Sequence, residues 1–327
     1  MRFLLDDEQR AFAHSLDALL TAADTPSAVR SWGAGDHTAG LALWSRIADA
    51  GVFALAVPEA YQGVGPLPVE LAVAFVELGR HAVPGPLVET VTAAALLTEP
   101  GLAKRFLPGL ASGETIATVA LDGSYALDGD AATIHLAVEG GELRLAQGYG
   151  QGHGPVRTSM DPARRLTRLE KAGSELLATG PQATATTAHA LTWARLATAA
   201  QALGVGLALL DRTVAYVKQR SQFGVPVGSF QAVKHRLADA KVALEFARPL
   251  LFGAALSMAP ADVAAAKVTA CEAAYTTART ALQLHGAIGY TAEYDLSLWL
   301  AKARALRTAW GTPGECRELV LTYNTYK

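Results

Sequence analysis

Cysteine is scarce in this chain of 327 residues, which contains only Cys271 and Cys316. Two cysteines cannot build a disulfide framework or a thiolate metal cluster, and they are typical of a protein from a reducing cytoplasm. His235 and His285 also lack the spacing to other ligands that metal sites show. We therefore expect a cytoplasmic protein without a metal centre.

Charge of one sign and long apolar runs are lacking as well. The formal net charge is only −2 at pH 7, so no excess of basic residues favours nucleic acid or an anionic membrane surface. The first residues lack the apolar run of a secretory signal, and no window is predicted to span a membrane. The chain is long enough for two or three domains with a sizeable core, and its many alanines favour helices.

Three regions differ in their sequence pattern. In residues 1–112 apolar residues recur at helical spacing, and Asp6 and Gln9 are placed to cap the first helix. Residues 113–186 hold short alternating or β-branched segments separated by Gly and Asp, which predicts a small β-domain. Residues 187–327 are helical again. The sequence thus predicts a mainly α fold with a helical amino-terminal domain, a small β-domain and a helical carboxy-terminal domain.

The carboxy-terminal domain is predicted to contain four long amphipathic helices: Ala188–Gln219, Phe230–Met258, Asp262–Leu284 and Tyr294–Ala309. Long helices joined by short connections indicate an antiparallel four-helix bundle. Pro249 lies inside the second helix and is expected to kink or end it, because proline lacks the amide N–H that a helix needs.

The first candidate site lies in the Gly/Pro-rich connection between the first two of these helices. Four residues with complementary chemistry lie within twelve positions: Arg220, Gln222, Phe223 and Gln231. A guanidinium can bind phosphate oxygens through two hydrogen bonds while an aromatic ring stacks on a base, so the cluster could bind a nucleotide. The following helix is expected to take Ser229 as its N-cap. The alternative is an ordinary connection with a surface arginine and a packing phenylalanine.

The second candidate site is the segment Gln283-Leu-His-Gly-Ala-Ile-Gly-Tyr290, which ends the third long helix. Gly286 is expected at or near the position after the helix C-cap. A glycine there also allows a ligand to approach the backbone closely. The alternative is a plain helix stop.

The pattern R-S-Q-F-G-x-P-x-x-x-F-Q that begins at Arg220 resembles the signature of the acyl-CoA dehydrogenase family, flavoproteins that desaturate acyl-CoA thioesters. The amino-terminal segments GVFALAVPEAYQGVG and VELAVAFVELGRHAVPGPLVET are similar to the same family. The resemblance implies that FAD is the cofactor, with its adenosine-diphosphate half bound by residues of a neighbouring subunit. The residues implied are Arg220, Gln222, Phe223, Gln231, Gln283, Gly286, Ala287 and Thr312, of which Ala287 replaces a family glycine.

The catalytic base is the point at which the chain departs from many family members. Trp310, before Gly311-Thr312, stands where those members carry the glutamate that removes the substrate α-proton. The resemblance to a branch with its base elsewhere implies Glu272 instead, on the helix before the Gln283 segment. No basic residue lies within one helical turn of Glu272, so we expect a buried carboxylate with a raised pKa. An exposed helix glutamate is the alternative.

The family resemblance implies α,β-desaturation of an acyl-CoA by a homodimer or homotetramer, with electron-transfer flavoprotein or a similar acceptor. The middle domain is shorter than in the family, and it lacks a clear match to the tryptophan strand that normally lies against the flavin ring. An alternative follows from that departure and from Trp310. The chain would then be a structural, cofactor-sharing subunit of a heterotetramer with a longer acyl-CoA dehydrogenase subunit. A flavin oxidase on the same scaffold is a third option.

Overall fold

The first helix begins at the cap that the sequence predicts. The computed structural model describes residues 4–147, 155–170 and 173–325. The amide N–H of Asp6 donates to Gln9 Oε1 (3.1 Å), and the amide N–H of Gln9 donates to Asp6 Oδ1 (2.8 Å), so this reciprocal cap is confirmed. The amino-terminal helices are α1 (Asp7–Thr21), α2 (Thr25–Ala34), α3 (Thr38–Asp49), α4 (Pro68–Arg80), α5 (Leu87–Leu96) and α6 (Pro100–Ser112).

Short strands follow, which confirms the small β-domain. They are β1 (Ala117–Leu121), β2 (Ala126–Leu127), β3 (Ile134–Glu139), β4 (Glu142–Ala146), β5 (Arg157–Thr158), β6 (Arg165–Thr167) and β7 (Glu175–Thr179). One sheet has the order β1-β3-β4-β7, with β1 parallel to β3 and the other pairs antiparallel. The other sheet has the order β2-β6-β5 and is antiparallel. Two strands lack the alternating pattern on which the predicted β-domain rests: β2, which has only two residues, and β7, whose sequence Glu-Leu-Leu-Ala-Thr does not alternate.

The four predicted long helices are present, and a further one lies at the carboxyl end. The elements are α7 (Gly180–Gln219), the hairpin strands β8 (Ser221–Gln222) and β9 (Val225–Pro226), α8 (Gln231–Ser257), α9 (Pro260–His285), α10 (Leu296–Leu306) and α11 (Pro313–Thr325). Pro249 is predicted to kink or end α8; it lies within the helix, so it does not end it, and the kink stays a prediction. The turns beyond it bury Leu251, Phe252 and Ala255, and this packing offsets the missing hydrogen bond.

The described chain divides into two compact units. The bundle unit comprises Met1–Thr21, Ala72–Val83 and Thr198–Lys327, and the sheet unit comprises Ala22–Leu71 and Pro84–Ala197. The three-domain division at residues 112 and 186 stays a prediction.

The core of the bundle unit is built from small side chains on α7, α9 and α10 around one large ring. Trp299 is buried there among alanines. Its indole Nε1 donates to the Arg80 carbonyl (2.8 Å), and Lys302 Nζ donates to the Val83 carbonyl (3.1 Å). A Cβ at Gly204 would lie 1.9 Å from the Val76 carbonyl oxygen, so only glycine permits the close contact of α7 with α4.

The long helix α7 is apolar enough to cross a membrane by length and composition, contrary to the expectation that no window would qualify. Its most apolar window has a mean hydropathy of 1.3, and 94% of that window is buried inside the protein. Burial of this kind is typical of a core helix, which has the same composition as a spanning one.

Candidate functional site

The β8–β9 hairpin presents the first motif on an open surface of the bundle unit. Gln222 pairs with Val225 across the hairpin, and Phe223 and Gly224 form its turn with φ values of 54° and 79°. A bulky residue with positive φ is strained, and such strain accumulates at functional sites. The Phe223 side chain is 92% exposed. A packing role for Phe223, the alternative considered above, is therefore not supported.

The start of α8 differs from the prediction. Phe230, not Ser229, is the N-cap residue, and it makes no side-chain cap. The Ser229 hydroxyl instead donates to the Pro226 carbonyl (2.7 Å) within the preceding turn. Gln231 is the first residue of α8 and is exposed. The N-cap side chain therefore accepts no hydrogen bond from the first amide groups of α8, and a helix end of this kind can bind an anion.

The second motif ends α9 as predicted. Gly286 is the C-cap, with φ 65° and ψ −139°, and its amide N–H donates to the Leu282 carbonyl. This backbone conformation belongs to a region that only glycine adopts readily. A Cβ at Gly286 would meet nothing within 4 Å, so the backbone faces open space. Gln283 and Ala287 are exposed beside it.

Two residues that the sequence prediction missed join the motifs. The Tyr216 and His285 rings stack with centroids 4.1 Å apart, and the Tyr216 hydroxyl donates to the His285 carbonyl (3.4 Å). The Arg220 amide N–H donates to the Tyr216 carbonyl (2.9 Å). Burial lowers the pKa of His285, so its ring is neutral near pH 7. Tyr216 lies one helical turn before Arg220, and this spacing could have indicated from the sequence that Tyr216 lies beside the first motif.

Thr312 is engaged in a helix cap. Its hydroxyl donates to Glu315 Oε2 (2.9 Å), and its amide N–H donates to the same oxygen (2.6 Å). This is a reciprocal cap of α11, since the Glu315 amide N–H donates back to the Thr312 hydroxyl (3.3 Å). Its assignment to the cofactor stays a prediction with a competing structural role.

Glu272 is not the unpaired carboxylate that we expected. Its side chain is 31% exposed, and Oε1 accepts from Arg307 Nη2 (2.9 Å) and Nε (3.0 Å). Arg307 follows α10 and also lies over the Tyr275 ring, 4.8 Å from its centroid. The expectation failed because the partner comes from the residue directly after α10, 35 positions along the chain. Both guanidinium contacts use one oxygen of Glu272.

The loop of Trp310 is held by a buried lysine. Lys267 is 1% exposed, and its Nζ donates to the carbonyls of Gly311 (2.6 Å) and Arg307 (3.4 Å). Trp310 itself adopts a left-handed backbone with φ 59°. A buried ammonium group needs such acceptors, so Lys267 fixes the backbone on which Arg307 stands.

Comparison with known proteins identifies the family. Residues 6–114 match the acyl-CoA dehydrogenase amino-terminal domain, and residues 184–321 match the acyl-CoA dehydrogenase carboxy-terminal domain. The chain is 35% identical over 311 residues to the acyl-CoA dehydrogenase IpdE2 of Mycobacterium tuberculosis, covering 94% of this chain and 95% of that protein. This chain belongs to the acyl-CoA dehydrogenase family. The family predicted from the sequence, an oxidoreductase family acting on acyl-CoA thioesters, is thereby confirmed.

Two solved structures share the fold over nearly the whole chain. The ChsE4-ChsE5 complex from Mycobacterium tuberculosis has a TM-score of 0.84 at 24% identity, covering 100% of both chains. A glutaryl-CoA dehydrogenase from Mycobacterium smegmatis in complex with FADH2 has a TM-score of 0.83 at 18% identity, covering 99% of this chain and 96% of that one. At such identities the likeness shows the acyl-CoA dehydrogenase fold, which confirms the predicted fold class.

Five of the residues that the sequence predicts to contact FAD are called the nucleotide-binding surface below: Arg220, Phe223, Gln231, Gln283 and Gly286. That they bind the adenosine-diphosphate half of FAD stays a prediction. Arg220 could supply a cation for a diphosphate, and the exposed Phe223 ring could supply an apolar face. The space beside the Gly286 backbone is open. A ligand could approach the backbone there, and a side chain at this position would occupy the same space.

Proposed function

We propose that this protein takes part in α,β-desaturation of acyl-CoA thioesters by binding the nucleotide end of FAD at an interface between subunits. The observation that carries the proposal is the exposure of the nucleotide-binding surface, with Phe223 92% exposed. An exposed aromatic ring becomes buried only when a ligand or another chain covers it. Such a ring is suited to a binding site that two subunits share. When bound, FAD supplies the redox chemistry by accepting the hydride from the substrate β-carbon.

The residues of this chain act on the nucleotide end by charge and shape. Arg220 follows α7 directly, and its amide N–H donates to the Tyr216 carbonyl. This hydrogen bond fixes the backbone position of Arg220 and so restricts where its guanidinium group can lie. Arginine forms paired hydrogen bonds with phosphate oxygens, which orients the diphosphate. Gln231 and Gln283 add amide groups that donate or accept hydrogen bonds at the adenosine.

The flavin-ring end is less well supported in this chain than the nucleotide end. All ten residues of α5 are buried. Thr90 on α5 exchanges hydrogen bonds with Ala117 on β1, donating to its carbonyl (3.3 Å) and accepting from its amide N–H (3.2 Å). The sheet is thus bonded directly to this helix. The short middle domain, which lacks a clear match to the family's tryptophan strand, favours a heteromeric enzyme whose longer subunit supplies the ring pocket.

The outer face of α8 supports assembly with a second acyl-CoA dehydrogenase chain. Val242, Phe246 and Leu250 recur at four-residue spacing and are 52%, 69% and 48% exposed. Such a stripe on a helix that begins at the nucleotide-binding surface suits a subunit interface. The ChsE4-ChsE5 complex, similar in fold, contains two different chains. We therefore test a heteromeric assembly first, as the heterotetramer expected from the sequence, and a homodimer or homotetramer second. We place the enzyme in the cytoplasm, with electron-transfer flavoprotein or a similar acceptor.

A second candidate function is a self-sufficient dehydrogenase that uses Glu272 as its base. The specific observation is that Arg307 contacts Oε1 alone, so Oε2 could take the substrate α-proton while Arg307 fixes the carboxylate. In this case the chain would need no base from a partner.

The deciding experiment compares the chain purified alone with the chain co-expressed with a longer family member. Visible spectra and assembly mass are measured for both. Flavin bound only in the co-expressed assembly supports the heteromeric enzyme, and a flavin-loaded homo-oligomer supports a self-sufficient dehydrogenase. A monomer that carries full flavin would contradict a site shared between subunits. Arg220→Ala should weaken FAD binding by roughly tenfold or more, since one charge-assisted contact is lost. The exposed Arg317→Ala is the matched control, and equal FAD affinity in both variants would contradict the proposal.

A further inference from the structure

A cluster of metal-ligand side chains lies where α1 approaches the end of α4 in the bundle unit. Asp17 comes from α1, and Glu77 comes from α4. His81 follows α4 directly and lies four positions after Glu77. One ligand atom from each of the three side chains lies within 4.8 Å of the other two. This spacing lets all three side chains contact a single ion, and the cluster shares no residue with the two sequence motifs.

The hydrogen bonds of the cluster leave one carboxylate oxygen unsatisfied. His81 Nε2 and Asp17 Oδ1 are 2.8 Å apart and share a proton. Glu77 Oε2 is buried and makes no hydrogen bond to residues 4–147, 155–170 and 173–325. Arg80 Nε lies 3.6 Å from this oxygen, which is too far for a hydrogen bond. Buried charged groups in proteins are normally paired or coordinate a metal, so this oxygen is suited to be a ligand.

Negative charge is in excess around the cluster. Arg80 is shared between Glu77 and Asp211, with its Nη2 3.0 Å from Asp211 Oδ2. Arg248, the other cation that acts on Glu77, pairs with a glutamate of its own helix at 3.6 Å. The carboxylates of Asp17, Glu77 and Asp211 therefore exceed the charge of Arg80. Such an excess of carboxylates attracts a cation.

The types of ligand atom narrow the kind of ion. An imidazole nitrogen is a good ligand for zinc and other late transition metals, whereas Ca²⁺ and Mg²⁺ prefer sites made of oxygen atoms alone. Three protein ligands leave a coordination position that water can fill. The Asp17 side chain is 50% exposed, so an ion can enter from solvent. One imidazole with two carboxylates therefore suits Zn²⁺ better than Mg²⁺.

We infer that Asp17, Glu77 and His81 bind a Zn²⁺ ion that joins α1 to the end of α4. The ion takes the place of the proton between Asp17 and His81, and this proton is released to solvent. The inference departs from the metal-free protein that the sequence predicts. That expectation considered local spacing, whereas Asp17 and His81 are 64 positions apart. Because the unfolded chain does not hold the three ligands together, the bound ion stabilises the folded state.

Calorimetric titration of Zn²⁺ into the full chain, in the assembly in which it purifies, tests the site. We expect one ion per chain with a Kd of about 1 μM or tighter. Asp17→Asn and His81→Gln should each weaken binding by at least about 10–100-fold, the effect of losing an outer-shell partner alone. Asp17→Asn keeps the size of a half-exposed side chain, so the variant should fold. His14→Gln is the matched control, since it removes an exposed imidazole of α1 outside the cluster.

Thermal unfolding is the second measurement. Saturating Zn²⁺ should raise the melting temperature of the unmodified chain and of His14→Gln, but not that of Asp17→Asn. An unchanged melting temperature in the unmodified chain would show that the ion does not join the two helices. Zn²⁺ that binds equally well to Asp17→Asn and His81→Gln, or only at millimolar concentration, would overturn the inference. Mg²⁺ bound as tightly as Zn²⁺ would exclude His81 as a ligand. The outcome for FAD in Arg220→Ala is measured separately, so this site and the proposed function can fail independently.

Discussion

Asp128 makes the stability of the sheet unit depend on pH. The residue is fully buried, and burial raises the pKa of its carboxyl from 3.8 to about 7, although the hydrogen bond from the Arg165 amide N–H (2.9 Å) opposes this. Because the folded pKa lies above the unfolded one, the folded state holds an extra proton between about pH 4 and 7. The free energy of unfolding therefore falls as the pH rises through this window and is level above it. The difference corresponds to roughly 4 kcal/mol at about 1.4 kcal/mol for each pKa unit.

The substitution Asp128→Asn isolates this effect. Asparagine keeps a side-chain oxygen for the Arg165 amide N–H but carries no titrating proton. Urea unfolding at pH 5, 6, 7 and 8 should show that the unmodified chain loses about 2.5–3 kcal/mol more between pH 5 and 8 than the variant does, because about two pH units of the window lie in this range. Asp122→Asn, at an exposed position, should follow the unmodified chain. Parallel pH profiles for the unmodified chain and Asp128→Asn would refute the reasoning. Glu77, whose pKa burial also raises to about 7, is present in both and cancels in the comparison.

Three further predictions concern the base, the assembly and a backbone conformation. If Glu272 is the base, Glu272→Gln should slow flavin reduction by an acyl-CoA about 10²–10⁴-fold with unchanged FAD binding, as measured by rapid mixing; bleaching at the unmodified rate would remove it from the mechanism. Phe246→Glu should dissociate the assembly at micromolar concentration in sedimentation experiments, because it puts a charge on the apolar stripe of α8; an unchanged mass would exclude this face. Gly286→Ala should lower the free energy of unfolding by about 1–3 kcal/mol through backbone strain; an unchanged melting temperature would contradict the φ and ψ values given above.

Local signals in the sequence predicted local structure well. The cap formed by Asp6 and Gln9 depends on two residues three positions apart, and the ending of α9 at Gly286 depends on one glycine. The N-cap of α8 failed although Ser229 is a favourable residue type. Ser229 instead ends the short 3-10 turn Val227–Ser229, where its hydroxyl donates to the Pro226 carbonyl. N-cap propensity shows which residue types are favourable, but the geometry of the preceding turn decides which residue becomes the N-cap of the helix.

Contacts between distant residues could not be predicted from spacing. The absence of a basic residue within one turn of Glu272 correctly described its own helix, but Arg307 arrives from the end of α10. The stacking of Tyr216 on His285, which joins the two motifs, likewise depends on how α7 packs against α9. Family resemblance predicted that both motifs serve one ligand, and the structure supplies the physical link between them.

The conformation of Phe223 bears on whether this surface binds a ligand. A left-handed backbone costs a bulky residue about 1–3 kcal/mol, and glycine would remove that cost at φ 54°. Packing does not compensate, because the ring is almost fully exposed and contacts Phe230 only edge-on at 6.3 Å between centroids. In the free chain the ring therefore adds strain and exposed apolar area without a matching gain in stability. A gain is available only when a ligand or a second subunit covers the ring. This supports a nucleotide site completed by assembly over a simple connection between two helices.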